Sequence, residues 1–352
     1  MLRAKRTAGG PAANDTRATL QDVAQLAGVS PITVSRALRT PGLVAEATRL
    51  KIEAAVDATG YVPDLVARSF RSSRSGVIAA IVPSIDTSQY AEMLQGVSDE
   101  LHRQNLELMV GVNGLSLVQE EKLLRAFIGR RPEGVVLSGT EHTPGARAML
   151  ARAGIPVVET GTISGRTLDM KVGYSEEKAV AALIDHLHRC GYRRIAFVCG
   201  PLDNNERAKR RRKGYLGAVQ RLDLPADRIV VLPAPASVRS GADGFAALLE
   251  RWPDSDCVFC SSDIIAVGAL FECQRRGWPV PDRIGLAGFL GLDLAAETVP
   301  PLTTVKVPRY DTGRQAAALL LRRLAGETPR HRSVDLGFTV LSRQSTRPPD
   351  GS

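Results

Sequence analysis

The chain is poor in cysteine and lacks the short motifs around which common catalytic sites are built. Its five cysteines are an odd number with no framework spacing, which excludes a disulfide-stapled scaffold and fits a reducing cytoplasm. There is no GxxxxGK[ST] phosphate loop, no GxGxxG after a strand pattern, no GxSxG elbow and no HExxH pair. Residues 1–18 are basic and rich in Ala, Gly and Thr, without an apolar stretch. They are expected to form a disordered tail rather than a signal peptide or an anchor. No enzyme activity, cofactor or membrane partner is expected, and the chain is placed in the cytoplasm.

Metal sites are equally poorly supported. Cys257 and Cys260 lie in Asp256-Cys-Val-Phe-Cys-Ser261, a buried-strand pattern in which residues i and i+3 point to opposite faces. His186, His188 and Cys190 share one predicted helix, but only His186 and Cys190 share a face of it. The expectation is no metal.

What the chain does have is size, charge asymmetry and a sharp N-terminal pattern. With 352 residues and 44% hydrophobic content it can bury a sizeable core in two or three domains. The formal charge is +9, and residues 1–75 hold eleven Lys/Arg against six Asp/Glu. About half of the excess thus sits in the first fifth of the chain, as a DNA-facing end requires.

Leu20, Val23, Ala24 and Ala27 fall at i, i+3, i+4 and i+7, the apolar stripe of a short helix. Gly28 follows as a left-handed stop. Ser30 then caps a second helix that has Pro31 at its first position. Val34, Ala37 and Leu38 form its narrow apolar face, leaving Pro31, Ile32, Thr33, Ser35 and Arg36 on the other side. Two helices joined by a glycine-containing turn form a helix-turn-helix, whose second helix enters the major groove. A third helix is expected over Ala45–Thr59, with Ala47, Leu50, Ala54, Ala55 and Ala58 on one face, ending at Gly60. The Arg- and Ser-rich stretch from Tyr61 to Ser75 reads as a linker able to order on a partner.

From Gly76 apolar runs alternate with amphipathic helices. Strands are expected at Val77–Val82, Leu106–Val112, Gly134–Leu137, Pro156–Val158, Arg194–Val198, Ile229–Leu232, Cys257–Cys260 and Ile284–Ala287. The helices between them include Ala91–Arg103, Glu120–Ile128, Glu176–Cys190 and Ile264–Arg276. Such alternation implies doubly wound parallel sheets with helices on both faces. Arranged as two lobes, they would resemble a periplasmic binding protein with ligand held between the lobes at the strand C-termini.

Several stretches make a resemblance specific. Leu20-Gln-Asp-Val-Ala-Gln-Leu-Ala-Gly-Val-Ser30, Thr33-Val-Ser-Arg-Ala-Leu38, Gly60-Tyr-Val-Pro63 and Val66-Ala-Arg-Ser-Phe70 resemble the lactose/galactose repressor family. Gly200-Pro-Leu202, Ser262-Asp-x-x-Ala-x-Gly268 and Pro300-Pro-Leu-Thr-Thr-Val305 extend the match over nearly the whole chain. Phe271-Glu-Cys-Gln-Arg-Arg-Gly277, Gly288-Phe-Leu-Gly291 and Val334-Asp-Leu-Gly-Phe338 look most like its gluconate-utilisation branch. The resemblance implies a multidomain chain: a tail over 1–18, a helix-turn-helix headpiece over 19–63 and a hinge helix and linker over 64–75. One effector lobe would then take 76–172 and 302–325, and the other 173–301 and 326–342.

The resemblance also implies site residues. Pro31, Ile32 and Arg36 fall on base-reading positions. A guanidinium at Arg36 matches guanine O6 and N7, while Pro31 and Ile32 offer apolar contact to a thymine methyl, with packing against the first helix the other possibility for Ile32. Thr33, Ser35 and the linker arginines would contact phosphates. In the hinge helix, with Ala67, Arg68 and Arg71, Phe70 stands where relatives have a leucine wedge that kinks the minor groove.

For the effector the implied positions are Gln89, Tyr90, Ser138, Glu159, Tyr174, Arg211, Ser262, Asp263 and Leu290. Arg211 corresponds to the arginine that commonly grips inducer, within the basic run Arg207-Ala-Lys-Arg-Arg-Arg-Lys213. Relatives often carry a hydroxyl-accepting aspartate at the position of Leu290. An acid lost beside a crowded basic run favours an anionic effector such as gluconate, 2-ketogluconate or 6-phosphogluconate. Most of that run is expected to be a solvated helix face.

The expected protein is a homodimeric repressor of sugar-acid catabolism genes, released from a palindromic double-stranded DNA operator by effector. Regulation of another carbohydrate pathway, or a corepressor acting in the same cleft, fits the same residues. A sugar kinase with a DNA-binding headpiece would need a phosphate loop that the chain lacks. A nucleoid-type DNA binder would have no reason for a large two-lobed sensor.

Overall fold

The computed structural model describes residues 18–62, 75–86, 88–328 and 331–349. The chain divides into two units, 1–75 and 76–352.

In the first unit α1 (Leu20–Ala27) begins with a reciprocal cap. The Thr19 hydroxyl accepts from the Asp22 backbone N–H, and the Asp22 carboxylate accepts from the Thr19 N–H at 2.7 Å. The helix stops at Gly28, whose φ of 68° places it in the left-handed region. Helix α2 (Pro31–Arg39) starts with Ser30 Oγ accepting from the Thr33 N–H at 3.2 Å. Helix α3 (Glu46–Thr59) ends at Gly60.

The headpiece core is Val23, Ala24, Val34, Ala37, Ile52 and Ala55, flanked by Leu20, Leu38, Val56 and Tyr61. The α3 face differs from the sequence expectation. Ala47, Ala54 and Ala58 are exposed and Leu50 is 54% exposed, whereas Ile52, Ala55 and Val56 pack inward. Alanine suits either side of a helix, so the face is decided by where the β-branched residues fill space.

The second unit opens with β1 (Val77–Val82), α4 (Ser88–His102), β2 (Glu107–Val112), α5 (Leu117–Ile128), β3 (Gly134–Ser138), α6 (Pro144–Ala153), β4 (Val157–Thr162) and β5 (Met170–Tyr174). It continues through α7 (Glu176–Arg189), β6 (Ile195–Cys199), α8 (Glu206–Arg221), β7 (Ile229–Val231), α9 (Val238–Arg251), β8 (Cys257–Cys260), α10 (Asp263–Arg275), β9 (Gly285–Ala287) and α11 (Asp293–Glu297). The final elements are β10 (Thr304–Lys306), α12 (Arg309–Leu324), β11 (Ser333–Asp335) and β12 (Thr339–Leu341).

One sheet runs β11-β5-β4-β3-β1-β2 and the other β7-β6-β8-β9, every pairing parallel; β10 and β12 pair antiparallel. Strand alternation sorts the cores. Ile78, Ala80, Val136 and Val158 face one helix layer, while Ala79, Ile81, Val135 and Leu137 face the other. In the second sheet Cys257 and Cys260 likewise fall in different cores, so they share no site. All five cysteines are buried, and none forms a disulfide.

Two lobe assignments need correction. Residues 333–335 pair with β5 in the first sheet, although 326–342 was expected in the second lobe. Of 302–325, expected in the first lobe, α12 does pack into the core of the first sheet, but residues 304–306 pair with β12 and Lys306 bridges to Leu290. The β5 strand, with Lys171 and Gly173 interrupting its apolar pattern, was not anticipated; all five of its residues are buried.

Helices pack very closely at paired glycines. A Cβ on Gly96 of α4 would collide with the Tyr310 carbonyl, and one on Gly313 of α12 with the Met93 carbonyl. Gly241 and Gly268 do the same for α9 and α10, against Ile265 and Val238. At the head of α12, Arg309 grips Glu92 with a two-pronged contact of 2.8 and 3.0 Å and also donates to the Leu290 carbonyl.

Candidate functional site

The C-terminal ends of β3, β4 and β5 present Ser138, Thr160 and Tyr174, and the start of α4 adds Tyr90. Facing them is the first part of α8, a helix capped by the Asn205 side chain accepting from the Ala208 N–H. Arg207 reaches across from α8. Its Nη1 donates to the Tyr90 hydroxyl at 3.1 Å, and its Nη2 donates to Ser138 Oγ at 2.8 Å and to the Thr160 carbonyl at 3.3 Å. Gly161 makes room for this side chain: a Cβ there would stand 2.6 Å from Arg207 Nη2, and its φ of 103° suits glycine.

One turn further along α8, Arg211 is buried. Its guanidinium lies 4.3 Å from the centroid of the Phe289 ring, Nη1 donates to the Ser261 carbonyl at 2.8 Å, and Nη2 is 3.5 Å from the Tyr174 hydroxyl. Its Nε has no acceptor among the described residues. Arg211, expected to be the chief anion grip, thus keeps one unpaired donor. Arg207, half-buried and aimed at the strand ends, adds a second and more exposed guanidinium. Arg207 and Arg211 are i and i+4 on one helix face, so the periodicity of the basic run held this signal.

Glu206 completes a second bridge between strand end and helix. Its carboxylate accepts from the Thr140 N–H at 2.8 Å, the Thr140 hydroxyl at 2.5 Å and Arg210 at 2.8 and 3.0 Å. Burial alone would raise its pKa, but the Thr140 and Arg210 hydrogen bonds prevail and hold it below the usual carboxylate range.

Of the residues expected at the effector site, Tyr90, Ser138, Tyr174 and Arg211 come together around Arg207. Gln89 lies half-buried beside Tyr90. Four others are committed elsewhere. Glu159 is fully buried, and the contact of β4 with Arg207 is made by the backbone carbonyl of its neighbour Thr160. Glu159 accepts instead from the Thr167 hydroxyl and the Leu168 N–H, and lies 3.1 Å from His142 Nε2. Ser262 caps α10 by accepting from the Ile265 N–H. Asp263 accepts from the Thr304 hydroxyl at 2.6 Å and the Leu292 N–H at 2.7 Å, tying the start of α10 to two other segments. Its burial pushes the carboxyl up to about 6. Leu290 packs into the core that holds Tyr174 and Phe289, at a positive φ of 113°.

Sequence reasoning did not single out Arg207, Thr160, Phe289 or Glu176. Glu176 opens α7, is 1% exposed, and has no hydrogen-bond partner for either oxygen among the described residues.

In the headpiece unit, α2 turns Val34 and Ala37 into the core and leaves Pro31, Ile32 and Arg36 exposed, with Thr33 and Ser35 half-buried. Ile32 is 71% exposed, so packing against α1 is not its role. The hinge residues Ala67, Arg68, Phe70 and Arg71 lie outside the described residues. Among the described residues no group of three or more His, Cys, Asp or Glu side chains is placed to hold a metal, and no helix is long and apolar enough to cross a membrane.

Residues 19–64 match the bacterial regulatory proteins of the lacI family, and residues 184–346 match a periplasmic binding protein-like domain. The HTH-type transcriptional regulator GntR of Pseudomonas aeruginosa is 39% identical over 94% of this chain and 96% of its own length. The regulator of the same name in Escherichia coli K12 is 35% identical over 92% and 97%. The crystal structure of a lacI-family transcriptional regulator from Silicibacter pomeroyi superposes with a TM-score of 0.87 at 34% identity, covering 93% of this chain and 99% of that one. With an exposed α2 face at one end and a two-sheet unit at the other, the chain belongs to the lacI family of DNA-binding transcriptional regulators.

Proposed function

We propose that the protein is a homodimeric repressor that binds a two-fold symmetric operator and is released by a sugar acid. The observation that carries the effector class is the charge between the strand ends and α8. Arg207 and Arg211 bring two guanidinium groups there, while Leu290 stands where relatives often place an acid. A carboxylate ligand is the natural counterion for such a surface, and a guanidinium holds it with paired hydrogen bonds. The segments that resemble the gluconate-utilisation branch, Phe271 to Gly277, Gly288 to Gly291 and Val334 to Phe338, support the same class.

On DNA, the exposed α2 residues Pro31, Ile32 and Arg36 would read base edges, while Thr33 and Ser35 would contact phosphates. A dimer's own symmetry calls for matching half-sites. Effector and operator compete through the protein's conformation, with a coupling of about 1–3 kcal/mol typical of such regulators.

Calorimetric titration of the full chain with gluconate, 2-ketogluconate, 6-phosphogluconate and glucose tests this reading, together with operator release by each. Binding of an acid with release of operator is the expected result. Tight binding of glucose without response to any acid would overturn it.

A further inference from the structure

Glu176 is an anomaly in the core of the site. It begins α7 two residues after Tyr174, where the chain leaves β5, and burial drives its pKa upward against the pull first of Arg211 and then of Arg207. A carboxylate kept from water normally collects donors, and a fold that leaves both oxygens bare sacrifices stability. Arg211, Arg207 and, most weakly, the Thr162 hydroxyl favour its charged form, but none of them reaches either oxygen with full hydrogen-bond geometry. Beside it, Arg211 Nε is a buried donor with no acceptor. Bare acceptors and a bare donor therefore border the same part of the site.

We propose that Glu176 is the receptor for the effector's hydroxyl groups, while Arg207 and Arg211 take its carboxylate. This deepens the sugar-acid reading and rests on it. Glu206 cannot serve, because its oxygens are occupied by Thr140 and Arg210. The charge count adds a preference. Two guanidinium groups and one carboxylate leave one positive charge, which a monoanion neutralises; a phosphorylated acid would bring its surplus negative charge toward Glu176. The ligand class is thus a polyhydroxy monocarboxylate such as gluconate, ahead of 6-phosphogluconate.

The test is calorimetry on the full chain, wild type and Glu176→Gln, with D-gluconate, 3-deoxy-D-gluconate, 6-phosphogluconate and sorbitol, accompanied by thermal unfolding without ligand. In the variant, gluconate affinity should fall at least tenfold, and its advantage over the deoxy acid and over 6-phosphogluconate should shrink. The unliganded variant should melt higher, since an unsatisfied buried charge has been removed. Glu176→Asp, which keeps the charge but withdraws it by one methylene, should lose affinity in the same direction and serves if the glutamine variant fails to fold. Unchanged gluconate affinity and unchanged discrimination would overturn the role of Glu176 while leaving the sugar-acid reading intact. Sorbitol binding that depends on Glu176, with no acid bound, would overturn the acid and keep the hydroxyl receptor. If wild type bound none of the four, both readings would fall.

Discussion

The Arg207 guanidinium, rooted in α8, donates to Ser138 Oγ at the end of β3 across 69 residues of sequence and 2.8 Å of space. This bond joins the two sheets of the second unit through a guanidinium that is proposed to hold the effector's carboxylate. A ligand carboxylate at Arg207 must therefore share or replace the contacts with Ser138 and Tyr90. Arg207→Ala should weaken sugar-acid binding by about 1.5–3 kcal/mol, the range for a hydrogen bond to a charged group. Arg211→Ala should cost folding stability as well, because its guanidinium already serves Phe289 and Ser261. Calorimetry and thermal unfolding of both variants separate the two effects; a stability loss confined to Arg207→Ala would reverse the assignment.

Arg36 is exposed on α2, and replacing it with Ala should weaken specific operator binding by about 1–3 kcal/mol and relax preference at one symmetric base pair. Site selection from a randomised operator library reads this directly. Unaltered preference would remove Arg36 from the base-reading set.

His142 is fully buried at its side chain, with Nδ1 2.6 Å from Glu120 and Nε2 3.1 Å from Glu159. Burial pulls its pKa down, but the two carboxylates more than reverse this and raise it to about 9 from 6.5. A histidine raised on folding contributes stability that is complete below pH 6.5 and lost as pH climbs through 9. Denaturant unfolding should therefore show declining stability over that window, and His142→Gln should flatten the slope while lowering stability at pH 6. Parallel wild-type and variant profiles would exclude His142 as the source.

Gly313→Ala places a methyl against the Met93 carbonyl and should destabilise the effector unit by about 1–3 kcal/mol through forced backbone movement. Gly217, on α8 with open space around it, is the control; alanine there should stabilise by about 0.4–1 kcal/mol. Equal effects at the two positions would mean that the α4–α12 contact has room that the structure does not show.

The helix-turn-helix was legible because its signals are local: Gly28, Ser30 and Pro31 act within four residues of where they stand. The parallel sheets were legible through the apolar runs of β1, β3, β6 and β8. What escaped was set by distant partners. Whether Ile52 or Leu50 faces inward on α3 depends on the helices it meets. β11 finds its place only by pairing with β5 across the chain. In the candidate site the strand ends could be named from sequence motifs, but that β4 meets Arg207 through the Thr160 backbone carbonyl, with Glu159 turned to His142, Thr167 and Leu168, leaves no mark in a side-chain pattern. Arg207 was marked among six cations only by standing four residues before Arg211 on one helix face, and Glu176 looked like an ordinary acid in the first turn of a helix.

Side chains between two helices usually act as adjustable spacers, since rotamer changes let the helices slide or tilt at little cost. At Gly96 and Gly313 those spacers are missing, so α4 and α12 are geared to each other. One of these helices begins beside Tyr90, the partner of Arg207; the other begins at Arg309, which clamps Glu92 of α4 and the Leu290 carbonyl. Between the segment that carries Tyr90 and the one that carries Arg309 there is therefore no soft joint in which a push could dissipate.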